Sequence, residues 1–328
     1  MIPNISIKKV LVRIGLFFLI FIGLILFVPY LIPLSESQAK GVEKPFVNSQ
    51  FMNIDGMSIH YRVWVPKAEK INAKWVLLVH GLGGSTYSWE NNAQRFCDEG
   101  FHVVAVDVPP FGYSDRNPDF NQSPDSRANL LWKFAIVLNA DVQWNLIGHS
   151  MGGGIVEAMA IIKPEKTKSV VLVDAALFKS MKKEFSYSQF ILTFPPFERL
   201  FSVVGEHFFI TKKQIKKMLL SAFGREPTVK EINAYYNALS IDGTARAFIR
   251  AFTKAKVVTE MDFDQFKAPT LAIWGDNDTW VPYDGYKLML DQQPNIQVKM
   301  IKGAHHCPME THIEEFNKLV LEFLLKNN

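Results

Sequence analysis

Apolar positions recur along this chain in four patterns, and each predicts a different kind of element. Short runs that are almost wholly apolar occur at Trp75–Val79, Phe101–Val106, Trp144–Ile147, Val170–Val173, Thr270–Trp274 and Ile296–Ile301. Runs of this length suit strands of a parallel sheet covered on both faces. Between them lie helical periods at Trp89–Glu99, Arg127–Ala140 and Gly152–Ala160. A last one at Thr311–Leu325 sets Ile313, Phe316, Leu319, Val320 and Phe323 on one side. Ahead of these, Phe51–Val65 alternates about Asp55-Gly56, which predicts an antiparallel hairpin turning there. Strands alternating with helices predict a three-layer α/β domain with a mostly parallel sheet.

The alternation stops near residue 177. Residues 178–267 hold no strand of the earlier type, only helical periods at Lys212–Phe223, Val229–Leu239 and Gly243–Lys254. The segment is rich in aromatics: Phe185, Tyr187, Phe190, Phe194, Phe197, Phe201, Phe208 and Phe209. A helical insertion inside an α/β domain predicts a cap over the active site. The expected organisation is therefore an N-terminal segment over 1–35, a linker over 36–50, core over 51–177, helical cap over 178–267, and core again over 268–328.

The fourth pattern is a block. Ile14 to Leu34 runs 21 residues without a charge, enough for a helix to cross a hydrocarbon core of about 30 Å. Lys8, Lys9 and Arg13 precede it, and no acid occurs before Glu36. That bias predicts a single-pass anchor with its N-terminus in the cytoplasm and the catalytic domain on the non-cytoplasmic side. A signal peptide cleaved near Ser37-Gln38-Ala39 is the alternative, giving a secreted or periplasmic protein.

Charge adds little beyond topology. The chain carries 36 basic and 32 acidic residues, and without residues 1–35 the balance is 33 against 32. No Lys/Arg block with interleaved aromatics predicts a nucleic-acid surface. Two cysteines, Cys97 and Cys307, make no disulfide framework and read as packing residues.

The chemistry gathers around Gly148-His149-Ser150-Met151-Gly152, between a strand and a helix. There Gly-x-Ser-x-Gly forms a nucleophile elbow, a strained turn that lifts the serine hydroxyl above the sheet. A serine needs a base, and the base needs an orienting acid. His305 and His306 follow the last strand, at the end where ligands gather in open α/β sheets. Asp276 and Asp278 follow the strand before it, and Asp174 ends its own strand. The glycine cluster His80-Gly81-Leu82-Gly83-Gly84 lets backbone approach a substrate, so Leu82 and Met151 N–H are the expected oxyanion donors. It has neither the Gly-Lys-Ser/Thr of a phosphate loop nor dinucleotide spacing. His305-His306, Glu310 and His312 match no zinc spacing, so neither metal nor cofactor is expected.

At these motifs the chain resembles the α/β-hydrolase superfamily, in its capped serine esterase and lipase branch, over about residues 50 to 325. Further marks are Asp107-Val108-Pro109-Pro110-Phe111-Gly112-Tyr113-Ser114, Gly275-Asp276-Asn277-Asp278 and Gly303-Ala304-His305-His306. The resemblance assigns the acid to Asp278 rather than Asp276 and the base to His306, with His305 standing where glycine is usual. It implies the triad Ser150, Asp278 and His306.

A serine at the elbow disfavours the haloalkane dehalogenase and epoxide hydrolase branches, which carry Asp there. The expected function is a carboxylesterase or lipase that cleaves an apolar acyl ester, of a small molecule or lipid-derived, through an acyl-enzyme. The alternatives are a carbon–carbon bond hydrolase or cofactor-free haloperoxidase on the same fold, and a catalytically silent binding protein. The carbon–carbon branch often carries Asn before the elbow serine and a cap arginine, where this chain has His149.

Overall fold

The computed structural model describes residues 7–33, 44–67, 74–117, 119–177, 194–253 and 265–327. Eight strands form one sheet: β1 (Ser49–Ile54), β2 (Met57–Trp64), β3 (Lys74–Val79), β4 (Phe101–Val106), β5 (Trp144–His149), β6 (Thr167–Val173), β7 (Thr270–Gly275) and β8 (Ile296–Ile301). Their order is β1-β2-β4-β3-β5-β6-β7-β8. The β1–β2 and β2–β4 pairs are antiparallel, and every other neighbouring pair is parallel. The hairpin turns at Asp55 and Gly56, with φ of 52° and 81°. Two successive positive φ values match the twist of the flanking strands.

Successive side chains of the central strands point to opposite faces. Leu77 and Val79 enter one apolar cluster with Trp132 and Phe134 of α3 (Pro124–Leu138) and Ile155 and Met159 of α4 (Met151–Ile162). Val76 and Leu78 enter another with Phe96 of α2 (Ala93–Asp98) and Phe316, Val320 and Leu324 of the C-terminal helix Ile313–Lys326. The result is the three-layer α/β arrangement that the apolar runs predict.

Two helices differ from expectation. The helix expected over Trp89–Glu99 is divided into a 3-10 turn, Thr86–Trp89, and α2. Between them Asn92 is buried, and its amide donates to the Met309 carbonyl at 3.1 Å and to Asn317 Oδ1 at 2.9 Å, so tertiary hydrogen bonds replace helical continuity. α3 begins three residues earlier than its apolar period, because Ser123 caps it and Pro124 fits the first turn.

Between β6 and β7 the described helices are α5 (Pro195–Val204), α6 (Lys212–Phe223), α7 (Val229–Leu239) and α8 (Thr244–Thr253). The last three lie where the sequence places them. α5 carries no clear sequence signal beyond Pro195-Pro196 at its start. Phe185, Tyr187 and Phe190 fall outside the described residues, as does Ser37-Gln38-Ala39. These helices reach over the strand ends: Phe248 Cζ lies 3.1 Å from where a Cβ on Gly83 would stand. Tyr235 Oη pairs with Ser88 Oγ at 3.1 Å.

The N-terminal helix α1 (Ile7–Leu31) spans 25 residues, and its most apolar window has a mean hydropathy of 2.8 with none of it buried. It is long and apolar enough to be a membrane anchor or a signal segment. Its last turn meets α5, where Arg199 Nε donates to the Pro29 carbonyl at 3.0 Å and Arg199 Nη2 to that of Ile32.

Candidate active site

Ser150 joins β5 to α4 at φ 51° and ψ −117°, a conformation that costs free energy for any residue with a Cβ. The surrounding backbone holds it there. Ser150 N–H donates to the Val173 carbonyl at 2.9 Å, and its own carbonyl accepts from Gly153 and Ala176 N–H, both at 2.9 Å. Close approach fixes two glycines. A Cβ on Gly152 would lie 2.3 Å from the Val79 carbonyl oxygen, and one on Gly81 would lie 3.0 Å from Ser150 Cβ. The turn His80–Gly84 is thus pressed against the elbow.

In that turn His80 is buried. Its Nδ1–H donates to the Gly81 carbonyl at 2.7 Å, and its Nε2 accepts from Val108 N–H at 2.9 Å. Burial holds its pKa below the usual imidazole range, so it is a neutral brace of its own loop. Leu82 stands at the tip of this turn. Met151 is the first residue of α4, where a backbone N–H has no intrahelical acceptor.

His306 and Asp278 come together on neighbouring loops, His306 Nδ1 bonding Asp278 Oδ2 at 2.9 Å. Asp278 Oδ1 accepts from Trp280 and Val281 N–H at 2.8 and 3.1 Å. Burial pushes the Asp278 carboxyl up, but the His306 bond and these two N–H groups outweigh it and hold the pKa below the usual range.

The neighbouring candidates point elsewhere. Asp276 Oδ1 accepts from Gly303 N–H at 2.6 Å and ties the two loops together. The His305 ring packs against Gly224, at the left-handed end of α6. Asp107 accepts from Thr86 N–H, Tyr113 N–H and His60 Nδ1–H, as a loop-fixing carboxylate would. Cys307 is buried and its thiol pKa is pushed well up by burial, consistent with a packing role.

Two neighbours of the site escape sequence reasoning. His149 Nε2–H donates to the His306 carbonyl at 2.7 Å. The Trp280 ring stacks on His306 with centroids 5.1 Å apart, while its Nε1–H donates to Ser221 Oγ of α6 at 3.0 Å. Neither role has a motif. Trp280 is signalled only by its place two residues after Asp278.

A family model described as alpha/beta hydrolase fold matches residues 74–313. The chain belongs to the alpha/beta-hydrolase family. A curated relative, the 2-hydroxy-6-oxononadienedioate/2-hydroxy-6-oxononatrienedioate hydrolase of Burkholderia vietnamiensis, is 26% identical over 275 residues, 76% of this chain and 86% of that one. Among solved structures, a bacterial membrane phospholipase A covers 97% of this chain and 98% of its own at 22% identity and a TM-score of 0.67. A meta-cleavage product hydrolase from Pseudomonas fluorescens covers 85% of this chain and 98% of its own at 19% identity and a TM-score of 0.65. At such identities these two likenesses speak to the fold alone.

The expectation of a carboxylesterase or lipase is corrected by the curated relatives, which favour the carbon–carbon alternative. The physical reason is plain. An elbow serine, a glycine-rich loop and a histidine–carboxylate pair serve attack on an ester and on a ketone equally. The elements that made the site legible do not encode the scissile bond.

Proposed function

We propose that this alpha/beta-hydrolase cleaves a carbon–carbon bond beside a ketone, in a substrate of the 2-hydroxy-6-oxo-dienedioate class. The observation that carries this is the name of the curated relatives that match over three quarters of the chain or more. A nine-carbon diacid of that description contains no ester or amide, so water divides it at the bond next to C6.

In this reading Ser150 is the nucleophile, His306 the base and Asp278 the acid that orients it. Ser150 Oγ adds to the ketone carbon as its proton passes to His306 Nε2. The oxyanion is received by Leu82 and Met151 N–H. Cleavage requires the dienol to ketonise first, its 2-hydroxyl proton moving to C5, because a pair left on a vinylic C5 could not enter the conjugated system. When the carbonyl re-forms, the bond from C6 to the now saturated C5 breaks. Its electron pair passes through the C3–C4 double bond onto the C2 oxygen, and His306 returns the proton to that dienolate. Water, activated by His306, then releases the acyl group from Ser150. The helices between β6 and β7 act as a cap over this site, with Phe248 above Gly83.

α1 serves as an uncleaved anchor, with Lys8, Lys9 and Arg13 on the cytoplasmic side. A reporter fused after residue 328 that works only in the cytoplasm would reverse this topology, and a mature N-terminus near Lys40 would replace the anchor by a signal peptide.

The function is tested with the purified full chain and a synthetic 2-hydroxy-6-oxo-dienedioate, following loss of the dienol chromophore. Turnover that disappears in Ser150→Ala supports the proposal. A wild-type enzyme that labels with a fluorophosphonate yet leaves this substrate untouched would refute it.

A further inference from the structure

Asp174 follows β6 with φ 41°, its N–H donating to the Ile273 carbonyl at 2.9 Å. Its carboxyl is buried beside that of Asp278. One oxygen from each carboxyl and one ring nitrogen of His306 all lie within 4.8 Å of one another. Asp174 Oδ1 accepts from Gly275 N–H at 2.9 Å, whereas Oδ2 is closed off from solvent and meets no donor. We propose that Asp174 is a positioning residue: a neutral carboxylic acid whose Oδ2–H donates to Asp278 and holds that carboxylate against His306. This rests on the reading of Asp278 and His306 as the acid–base pair.

The argument is one of donors. An ionised carboxylate offers about four acceptor sites. Asp278 fills three of them with His306, Trp280 and Val281, and a proton on Asp174 supplies the fourth. An ionised Asp174 would instead set a bare buried oxygen against a second negative charge, an arrangement that forces one of two close carboxyls to keep its proton. Asp278, with three donors, is the one that stays charged. The titratable groups facing Asp174 are Asp278, His306 and Cys307. Burial, with Asp278 adding to it, pushes the Asp174 carboxyl well above the usual range, and the single Gly275 N–H does not reverse this.

Neutrality matters to the base. A second negative charge beside His306 would favour the imidazolium, the form that cannot accept the serine proton. Asp174 holds Asp278 in place without adding that charge.

The test uses the full chain and the rate at which a fluorophosphonate labels Ser150 across pH, which reports the protonation of His306 whatever the natural substrate. In Asp174→Asn the amide N–H replaces the acid O–H, and the acid limb of the profile should stay where the wild type has it. Asp174→Leu, of similar size but without a donor, should label more slowly, with its acid limb moved up because Asp278 becomes a stronger base. If Asp174 is ionised, Asp174→Asn lowers the limb by about 1–3 units and the proposal fails. It fails also if a folded Asp174→Leu behaves like Asp174→Asn. Infrared difference spectra of protein labelled with ¹³C-aspartate give an independent answer at neutral pH. A protonated-carboxyl band present in the wild type and lost in Asp174→Asn is expected, and its absence from the wild type overturns the proposal. A wild type that does not label at all would count against the serine mechanism, and the infrared band would still decide the state of Asp174.

Discussion

His149 Nε2–H donates to the backbone carbonyl of His306 at 2.7 Å, so the residue before the elbow serine holds the loop that carries the imidazole facing Asp278. The two rings lie 4.8 Å apart. Burial, and next the nearby His306, bring the His149 pKa down to about 3. It therefore stays neutral through the working range and acts by its hydrogen bond, not by titrating.

Removing that donor should loosen His306 rather than the substrate. His149→Ala leaves a buried carbonyl unpaired, worth about 1–3 kcal/mol, and should lower kcat about tenfold or more with KM little changed. His149→Asn keeps an N–H donor and should retain more of kcat than His149→Ala. Steady-state kinetics on the three proteins, with folding checked by circular dichroism, decide it. Equal losses in the two variants would show that the bond to His306 is not what matters.

In the proposed mechanism Asp278 is the acid that orients His306, whereas Asp276 ties two loops together. Asp278→Asn keeps the fold and should lose about 10⁴-fold in kcat, because the amide favours the wrong imidazole tautomer. Asp276→Asn keeps an oxygen that can accept from Gly303 N–H but loses the charge that strengthens the bond, and should cost a little stability and leave the rate nearly unchanged. Thermal melts and fluorophosphonate labelling rates on both variants check this. Collapse of labelling in the Asp276 variant alone would reverse the assignment.

How much of this was legible depends on how local the cause is. The central strands announce themselves because burial on both faces demands apolar side chains at every position, as at Val76 to Val79. The elbow is legible because Gly152 has backbone 2.3 Å from where its Cβ would lie. Asp278 and His306 are 28 residues apart and needed the resemblance to be paired. α2 was misjudged because Asn92 bonds to Met309 and Asn317, more than 200 residues away in sequence. The scissile bond was misjudged for another reason: an elbow serine, a glycine-rich loop and a histidine–carboxylate pair serve ester and ketone alike, so no short motif separates the two.

Glu310 should make stability fall with rising pH. It lies four residues after His306, fully buried, and Tyr235 Oη of α7 donates to its Oε1 at 2.5 Å. Burial pushes its pKa up from 4.5 to about 8, and the Tyr235 bond only partly offsets this. The folded chain thus binds this proton more tightly than the unfolded chain. The associated stability is complete below the unfolded pKa of 4.5 and is lost as pH rises through the folded value of about 8. Each unit is worth about 1.4 kcal/mol. Asp174 adds to this slope, whereas His80 and His149, held neutral by burial, oppose it below the ordinary imidazole value of 6.5. The Glu310 contribution is therefore read as the difference between wild type and variant in thermal melts of the full chain. Asp278 and Asp107 have lowered pKa values and work in the opposite sense. Their contributions are complete above the ordinary aspartate range, so they add no slope in this window. Glu310→Gln, neutral at every pH and able to accept from Tyr235, should match the wild type near pH 5 and melt at a higher temperature near pH 9. Wild-type and variant curves that run parallel from pH 5 to 9 would mean that Glu310 is not the group being deprotonated.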